Sequence, residues 1–184
     1  MPTFIALLRG VNVGKGRRVP MADFRAVLEN LGYTGVSTLL NSGNAVFVAS
    51  ASTPAAHARA ISDALLHALG VAVPVVVLSA SELSSIVAEN PLAEQAADGS
   101  RLMVSFVQGA DALRSLEAIR ALAAPPDTFV VGRRAAYLHC PQGSLASAAG
   151  AALLGRHGRA ATTRNWSTTL KLHALALKTG AGTR

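Results

Sequence analysis

The order of strand-like and helix-like segments constrains this fold more than any other feature of the sequence. The chain opens with the nearly continuous apolar run Phe4–Leu8, which is typical of a central strand covered on both faces. Apolar residues then recur at helical spacing between Pro20 and Gly32, which predicts a helix. Proline suits the first turn of this helix, and glycine suits its end. Two strand-like segments follow, joined by the turn residues Asn41-Ser42-Gly43-Asn44. The first quarter of the chain therefore predicts a strand, a helix and a hairpin.

The next stretch completes a recognisable unit. Thr53 and Pro54 predict a helix start, Gly70 predicts its end, and the apolar run Val73–Leu78 predicts a fourth strand. The order β-α-β-β-α-β is the split βαβ arrangement of a ferredoxin-like fold. Ser79 and Glu82 have the spacing of a capping box and predict one further short helix.

The same order is predicted to restart after residue 100. The expected elements are a strand at Leu102–Val107, a helix capped by Asp111 that runs through Leu122, strands Thr128–Val131 and Ala135–Cys140, a helix within Ser144–Leu154, a strand near residues 160–163 and a helix from about Ser167. We therefore predict an α+β protein made of two ferredoxin-like β-α-β-β-α-β units in tandem, with mainly antiparallel sheets and helices packed on them. The predicted domains are residues 1–80, a helix and linker at 81–99, and residues 100–184.

Charge and composition restrict the class of partner. The net charge is +7, and eight basic residues but no acidic residue follow Asp127. One-signed charge on a folded segment favours an acidic partner such as a nucleotide or nucleic acid, although a basic surface without a partner explains it equally well. No apolar run approaches the roughly 18 residues of a membrane span, so we expect no membrane partner. The single Cys140, read as a small buried residue, fits a cytoplasmic location.

The loop between the first strand and the first helix is rich in glycine and basic residues. Three residues separate Gly10 from the Gly14-Lys15 pair, whereas the ATP-binding phosphate loop requires four, and Gly16 stands where that loop has serine or threonine. Glycines still permit close backbone approach to an anion, and an arginine can grip an oxyanion with two hydrogen bonds. The predicted ligand-binding residues here are Arg9, Gly10, Asn12, Gly14 and Lys15. The alternative is a solvated loop, favoured for Lys15 and for Arg17 and Arg18.

Two further stretches are predicted to contribute to the same site. Asn44 lies in the turn before the third strand, which should reach the same sheet end as the glycine loop because the first and third strands are antiparallel neighbours. Thr163, Arg164 and Asn165 form a polar run before the only tryptophan, Trp166. The alternatives are a plain hairpin turn for Asn44 and structural anchoring for Trp166.

The residues that carry other chemistries do not form the required patterns. The five histidines have no metal-ligand spacing, so we expect no metal site and no cofactor. The sequence contains no G-x-S-x-G segment and no acid pair at a predicted catalytic turn. Catalytic residues are therefore unknown from the sequence.

Several short segments together resemble a known bacterial family, the one catalogued as domain of unknown function 1697. The segments that carry the resemblance are Ala6–Gly14, Met21, Asn41–Phe47, Ala161–Trp166 and Thr168. Asn41 stands where the family pattern has glutamine, and Ser167 where it has asparagine. The resemblance implies an α+β protein with ferredoxin-like halves, and it implies no activity.

These observations favour an uncharacterised cytoplasmic protein that binds a phosphate-bearing ligand, either a nucleotide or a nucleic acid, through the basic glycine loop. One alternative is an enzyme that acts on a phosphate-bearing substrate by charge stabilisation alone. Another is a structural homodimer that binds no ligand.

Overall fold

The computed structural model describes residues 1–50 and 52–182, and the chain forms two compact units. The first unit comprises Met1–Leu83 and Leu172–Arg184, and the second comprises Ser84–Lys171. The last helix therefore begins in the second unit and ends in the first. The predicted domain limits at residues 80 and 99 stay a prediction.

The first unit contains a four-stranded antiparallel sheet with strand order β2-β3-β1-β4. Its elements are β1 (Thr3–Leu8), α1 (Met21–Asn30), β2 (Thr34–Leu39), β3 (Asn44–Val48), α2 (Pro54–Leu69), β4 (Val75–Ser79) and the start of α3 (Ala80–Ala88). Leu7 pairs with Asn44 across β1 and β3. This register confirms that the glycine loop and the β2–β3 turn lie at the same end of the sheet.

Local capping signals explain where the helices of this unit begin and end. The Thr53 side chain accepts a hydrogen bond from Ala56 N, and Gly70 ends α2 with a left-handed φ of 67°. The predicted capping box of α3 is confirmed, because Glu82 N donates to Ser79 Oγ at 3.2 Å and Ser79 N donates to Glu82 Oε2 at 2.7 Å.

An apolar core joins one face of this sheet to α1 and α2. It includes Phe4 and Phe47 from the sheet, Phe24 from α1 and Ile61 from α2, all of which are buried. The end of the last helix belongs to this unit as well: a Cβ atom on Gly180 would lie 3.4 Å from Thr3 Oγ1. The first strand and the last helical turn are therefore neighbours.

The second unit repeats the topology with a second antiparallel sheet of strand order β6-β7-β5-β8. Its elements are the rest of α3, β5 (Leu102–Val107), α4 (Ala110–Ser115), β6 (Thr128–Val131), β7 (Ala135–His139), α5 (Ala148–Leu154), β8 (Ala161–Asn165) and the start of α6 (Trp166–Ala181). Short 3-10 helices lie at Ala93–Gln95, Leu116–Leu122 and Ser144–Ala146. Among the described residues the protein is thus an α+β protein with two four-stranded antiparallel sheets and six α-helices.

The prediction of one continuous helix capped by Asp111 is wrong. Gly109 precedes α4, and Asp111 lies inside the helix, where its carboxylate pairs with Arg114 instead of capping the helix. The chain then tightens into the 3-10 helix Leu116–Leu122, whose Leu116 and Ile119 are buried in the core of this unit. The helical spacing therefore predicted the buried face of this segment but not its change to 3-10 geometry.

Cys140 lies in the same core, as predicted for a small buried residue. Burial raises the pKa of the Cys140 thiol, an effect that the Ser147 side chain partly offsets by hydrogen bonding. The thiol therefore stays protonated at neutral pH. In the part of the chain that the structure describes, no helix has both the length and the apolarity needed to cross a membrane.

Candidate anion-binding site

The site begins where β1 ends. Leu8 N donates to Gly43 O at 2.7 Å, and Arg9 N donates to Pro74 O at 3.0 Å. The backbone at Leu8 and Arg9 is thus held to chain segments on either side of β1. The side chain of Arg9 is partly exposed at this end of the sheet.

Asn12 organises the loop that follows. Its backbone is left-handed at φ 57°, a conformation that asparagine accepts better than most residues, and its N–H donates to Arg17 O at 2.7 Å. The side-chain Nδ2 donates to Val19 O at 2.8 Å and to Asn41 O at 2.7 Å, while Oδ1 accepts from Val19 N at 3.0 Å. Both hydrogens of the side-chain amide are therefore donated to backbone carbonyl groups, and one of these bonds joins the glycine loop to the β2–β3 turn. Ligand contact by Asn12 stays a prediction.

The tip of the loop is exposed from Val13 to Arg18. Gly14 has a φ of 55°, and its carbonyl accepts a hydrogen bond from Arg18 Nη2 at 3.0 Å. The amide N–H groups of Val13, Gly14 and Lys15 donate to no protein acceptor in the described ranges. Successive backbone N–H groups of this kind, beside a cation, can bind an anion.

Two arginines flank the first glycine of the loop: Arg9 precedes it in the chain, and the guanidinium of Arg17 lies beside it. Gly10 has a φ of 63°, and a Cβ atom on it would lie 3.7 Å from Arg17 Nη1. The pKa of Arg9 is lowered, mainly because burial disfavours its charge and also because the Arg17 guanidinium repels it. The parallel β-bridge between Val11 and Arg17 holds Arg17 in this position. The fold thus brings two like charges together at the end of β1.

Asn44 is completely buried, and its Nδ2 donates to Leu39 O and to Ser42 Oγ, both at 2.9 Å. These bonds stabilise the β2–β3 turn from inside. The preceding Gly43 has a φ of 78° and packs so tightly that a Cβ atom would lie 2.5 Å from Leu8 Cβ. Asn44 therefore supports the turn that is bonded to Leu8 at the end of β1, and its contact with a ligand stays a prediction.

The second predicted stretch lies in the second unit, on the edge strand β8. Thr163 and Asn165 share one face of the sheet: Thr163 Oγ1 lies 3.0 Å from Ser105 Oγ, and Asn165 Oδ1 accepts from Thr168 N at 2.8 Å. Asn165 thereby caps α6. Both side chains thus have structural partners.

Arg164 lies on the opposite face of β8, because strand residues alternate. It is only 9% exposed, and its Nη1 donates to Thr162 Oγ1 at 3.1 Å and to Thr163 O at 2.9 Å. Burial lowers the pKa of Arg164 to about 10, so it stays charged at neutral pH. Trp166 is 8% exposed and donates its backbone N–H to Gly99 O at 3.0 Å. That this stretch joins the glycine loop in one site stays a prediction.

Sequence reasoning missed Leu40, which has a left-handed φ of 57° although it is neither glycine nor asparagine. Arg17 is exposed, as the solvated-loop alternative expects, and its Nη1 also lies beside Gly10. Only the spacing of Arg17 after the loop glycines could have indicated a return of the chain toward Gly10. Within the described ranges, no group of three or more His, Cys, Asp or Glu side chains is arranged to hold a metal ion.

The chain belongs to the family described as "Protein of unknown function (DUF1697)", whose model matches residues 1–137. This confirms the resemblance seen in the sequence. The match includes the glycine loop and the β2–β3 turn, whereas Thr163, Arg164 and Asn165 lie beyond it.

Among solved structures, the chain is similar to the conserved bacterial protein SP0830 from Streptococcus pneumoniae. The TM-score is 0.78 with 24% sequence identity, and the similarity covers 95% of this chain and 98% of that chain. At this identity the likeness shows the fold alone. No curated protein matches the chain.

Proposed function

We propose that this protein binds a phosphate-bearing ligand, a nucleotide or a nucleic acid, at the end of β1 in its first unit. The observation that carries the proposal is the position of Arg17 Nη1 beside Gly10, the residue that directly follows Arg9, where the charge of Arg17 repels that of Arg9. Two guanidinium groups repel each other when a site is empty, and a shared oxyanion between them turns that repulsion into attraction. The ligand therefore binds most favourably where the two positive charges meet.

The surrounding residues supply the remaining requirements of such a site. The amide N–H groups of Val13, Gly14 and Lys15 are exposed donors, and Lys15 adds a third cation. Asn12 and Asn44 act as positioning residues, since their side chains hold the loop and the turn. In this proposal Thr163, Arg164 and Asn165 are not required.

We also infer that each unit is ferredoxin-like. The order β-α-β-β-α-β and the strand orders β2-β3-β1-β4 and β6-β7-β5-β8 support this inference. A cytoplasmic location is part of the same proposal, supported by the single buried cysteine.

Isothermal titration calorimetry with inorganic pyrophosphate and with ATP tests the proposal. Arg9→Ala and Arg17→Ala should each weaken binding by about 10- to 100-fold, because each removes a charge-assisted hydrogen bond. Arg59→Ala is the matched control: Arg59 is an exposed arginine on α2 of the same unit and should leave the affinity unchanged. Circular dichroism should show that all three variants keep the fold.

Equal affinities in Arg9→Ala, Arg17→Ala and Arg59→Ala would contradict the proposal, because binding would then follow net charge alone. Unfolding of Arg9→Ala would leave Arg17→Ala as the test, since Arg17 is exposed. If the unmodified protein binds neither pyrophosphate nor ATP, the proposal is refuted for nucleotides, and only polynucleotides remain to be tested.

A further inference from the structure

Two large apolar side chains are exposed beside the anion-binding site. Val13 at the tip of the glycine loop is 69% exposed, and Leu40 in the β2–β3 turn is 53% exposed. Their chain neighbours Asn12 and Asn41 are joined by the hydrogen bond from Asn12 Nδ2 to Asn41 O. The two apolar residues thus belong to adjacent loops that are tied to each other.

Leu40 holds an unfavourable backbone conformation. Its φ of 57° lies in the left-handed region, where a bulky side chain crowds the backbone and where glycine or asparagine is preferred. An exposed leucine in this position gains little from burial in the protein. A leucine at a backbone position that glycine or asparagine would adopt with less strain is a reason to look for a function of the side chain.

The cations of the same loop are also exposed. Lys15, Arg17 and Arg18 form no ion pair within the described part of the chain. The surface formed by Val13, Leu40 and these three cations, called the loop surface below, therefore combines exposed apolar groups with uncompensated positive charge. A partner complementary to this surface carries negative charge and exposes apolar groups close to that charge.

We propose that the loop surface binds single-stranded nucleic acid, with the cations on successive phosphates and with Val13 and Leu40 against unstacked bases. A single strand offers base faces that a duplex hides by stacking, and its phosphates recur along the strand. The exposure of the loop tip from Val13 to Arg18 suits an extended ligand better than a free nucleotide. This inference rests on the proposed function and names its ligand class.

Fluorescence anisotropy with labelled 12-nucleotide single strands of DNA and RNA tests the inference at low and moderate salt. Leu40→Asn should weaken binding about five- to tenfold, because it removes apolar contact area. The same substitution should raise the melting temperature by about 2–4 °C, because asparagine accepts the left-handed backbone. Leu66→Asn is the control, since Leu66 on α2 is 51% exposed and lies outside the loop surface.

The inference is supported if Leu40→Asn raises the stability and weakens the binding while Leu66→Asn leaves the affinity unchanged. Unchanged affinity in Leu40→Asn would overturn it, since the apolar residue would then make no contact with the strand. Duplex DNA bound as tightly as single strands, or binding to phosphatidylglycerol vesicles but not to nucleic acid, would overturn it as well. If ATP binds through Arg9 and Arg17 while no polynucleotide binds, this inference fails and the proposed function stands.

Discussion

Replacing Gly43 by alanine tests the packing that holds the β2–β3 turn against β1. Gly43 has a φ of 78°, and an added Cβ atom would lie 2.5 Å from Leu8 Cβ and 2.9 Å from Val11 Cγ2. Leu8 Cβ is attached directly to a backbone that is hydrogen-bonded on both sides, so it cannot move aside as the end of a long side chain could. Gly43→Ala must therefore displace the turn or β1.

Two effects add in this substitution. A left-handed backbone costs an alanine about 1–2 kcal/mol. Forcing a methyl group into a packed interior costs about 1–3 kcal/mol more. The free energy of unfolding of the first unit should thus fall by about 2–5 kcal/mol, a large share of the total stability of a typical domain.

Gly70→Ala separates the two effects. Gly70 at the end of α2 has a φ of 67°, and no described atom lies within 4 Å of its added Cβ. Only the backbone cost of about 1–2 kcal/mol applies there. Urea unfolding followed by circular dichroism should show a clearly larger loss for Gly43→Ala, with similar m-values. Equal losses in the two variants would refute the steric reasoning.

Two further predictions concern pH and helix capping. Burial lowers the pKa of His57 below its usual 6.5 in the folded state, so as the pH falls the unfolded chain takes up a proton before the folded one, and stability should fall below about pH 6.5. The urea midpoints at pH 7.5 and 5.0 should therefore differ less in His57→Phe than in the unmodified protein. In the control His67→Gln, which changes an exposed histidine, they should differ by as much as in the unmodified protein. Asn165→Ala should cost about 1 kcal/mol of stability, because Thr168 N loses its capping acceptor, whereas Asn165→Asp should retain most of it; equal stability of the alanine and aspartate variants would show that the cap contributes nothing.

Local signals made much of the fold predictable. The helix α2 begins after Thr53 and ends at Gly70 as expected, since both signals act through neighbouring backbone groups. Strand β5 matches its predicted bounds Leu102–Val107, because its apolar run stands between polar segments. The prediction from Asp111 was wrong because a carboxylate can either cap a helix or pair with a nearby cation. Here the carboxylate of Asp111 pairs with Arg114.

The candidate site was less predictable because its geometry depends on distant residues. The sequence identifies Asn12 as a polar loop residue, but its amide bonds reach Val19 and Asn41, which lie 7 and 29 positions away. The left-handed backbone of Leu40 gives no sequence signal, since leucine normally avoids that region. The loop could therefore be recognised as basic and glycine-rich, while the approach of Arg17 to Gly10 required the folded chain.

The contact between Gly180 and Thr3 has a consequence for the order of folding during synthesis. Residues 172–182 belong to the first unit, yet they follow the whole of the second unit in the chain. On the ribosome, β1 therefore emerges more than 160 residues before the helical turn that packs beside it. The first unit therefore stays incompletely covered until residues 172–182 have been synthesised, so the second unit can complete its own fold before the first.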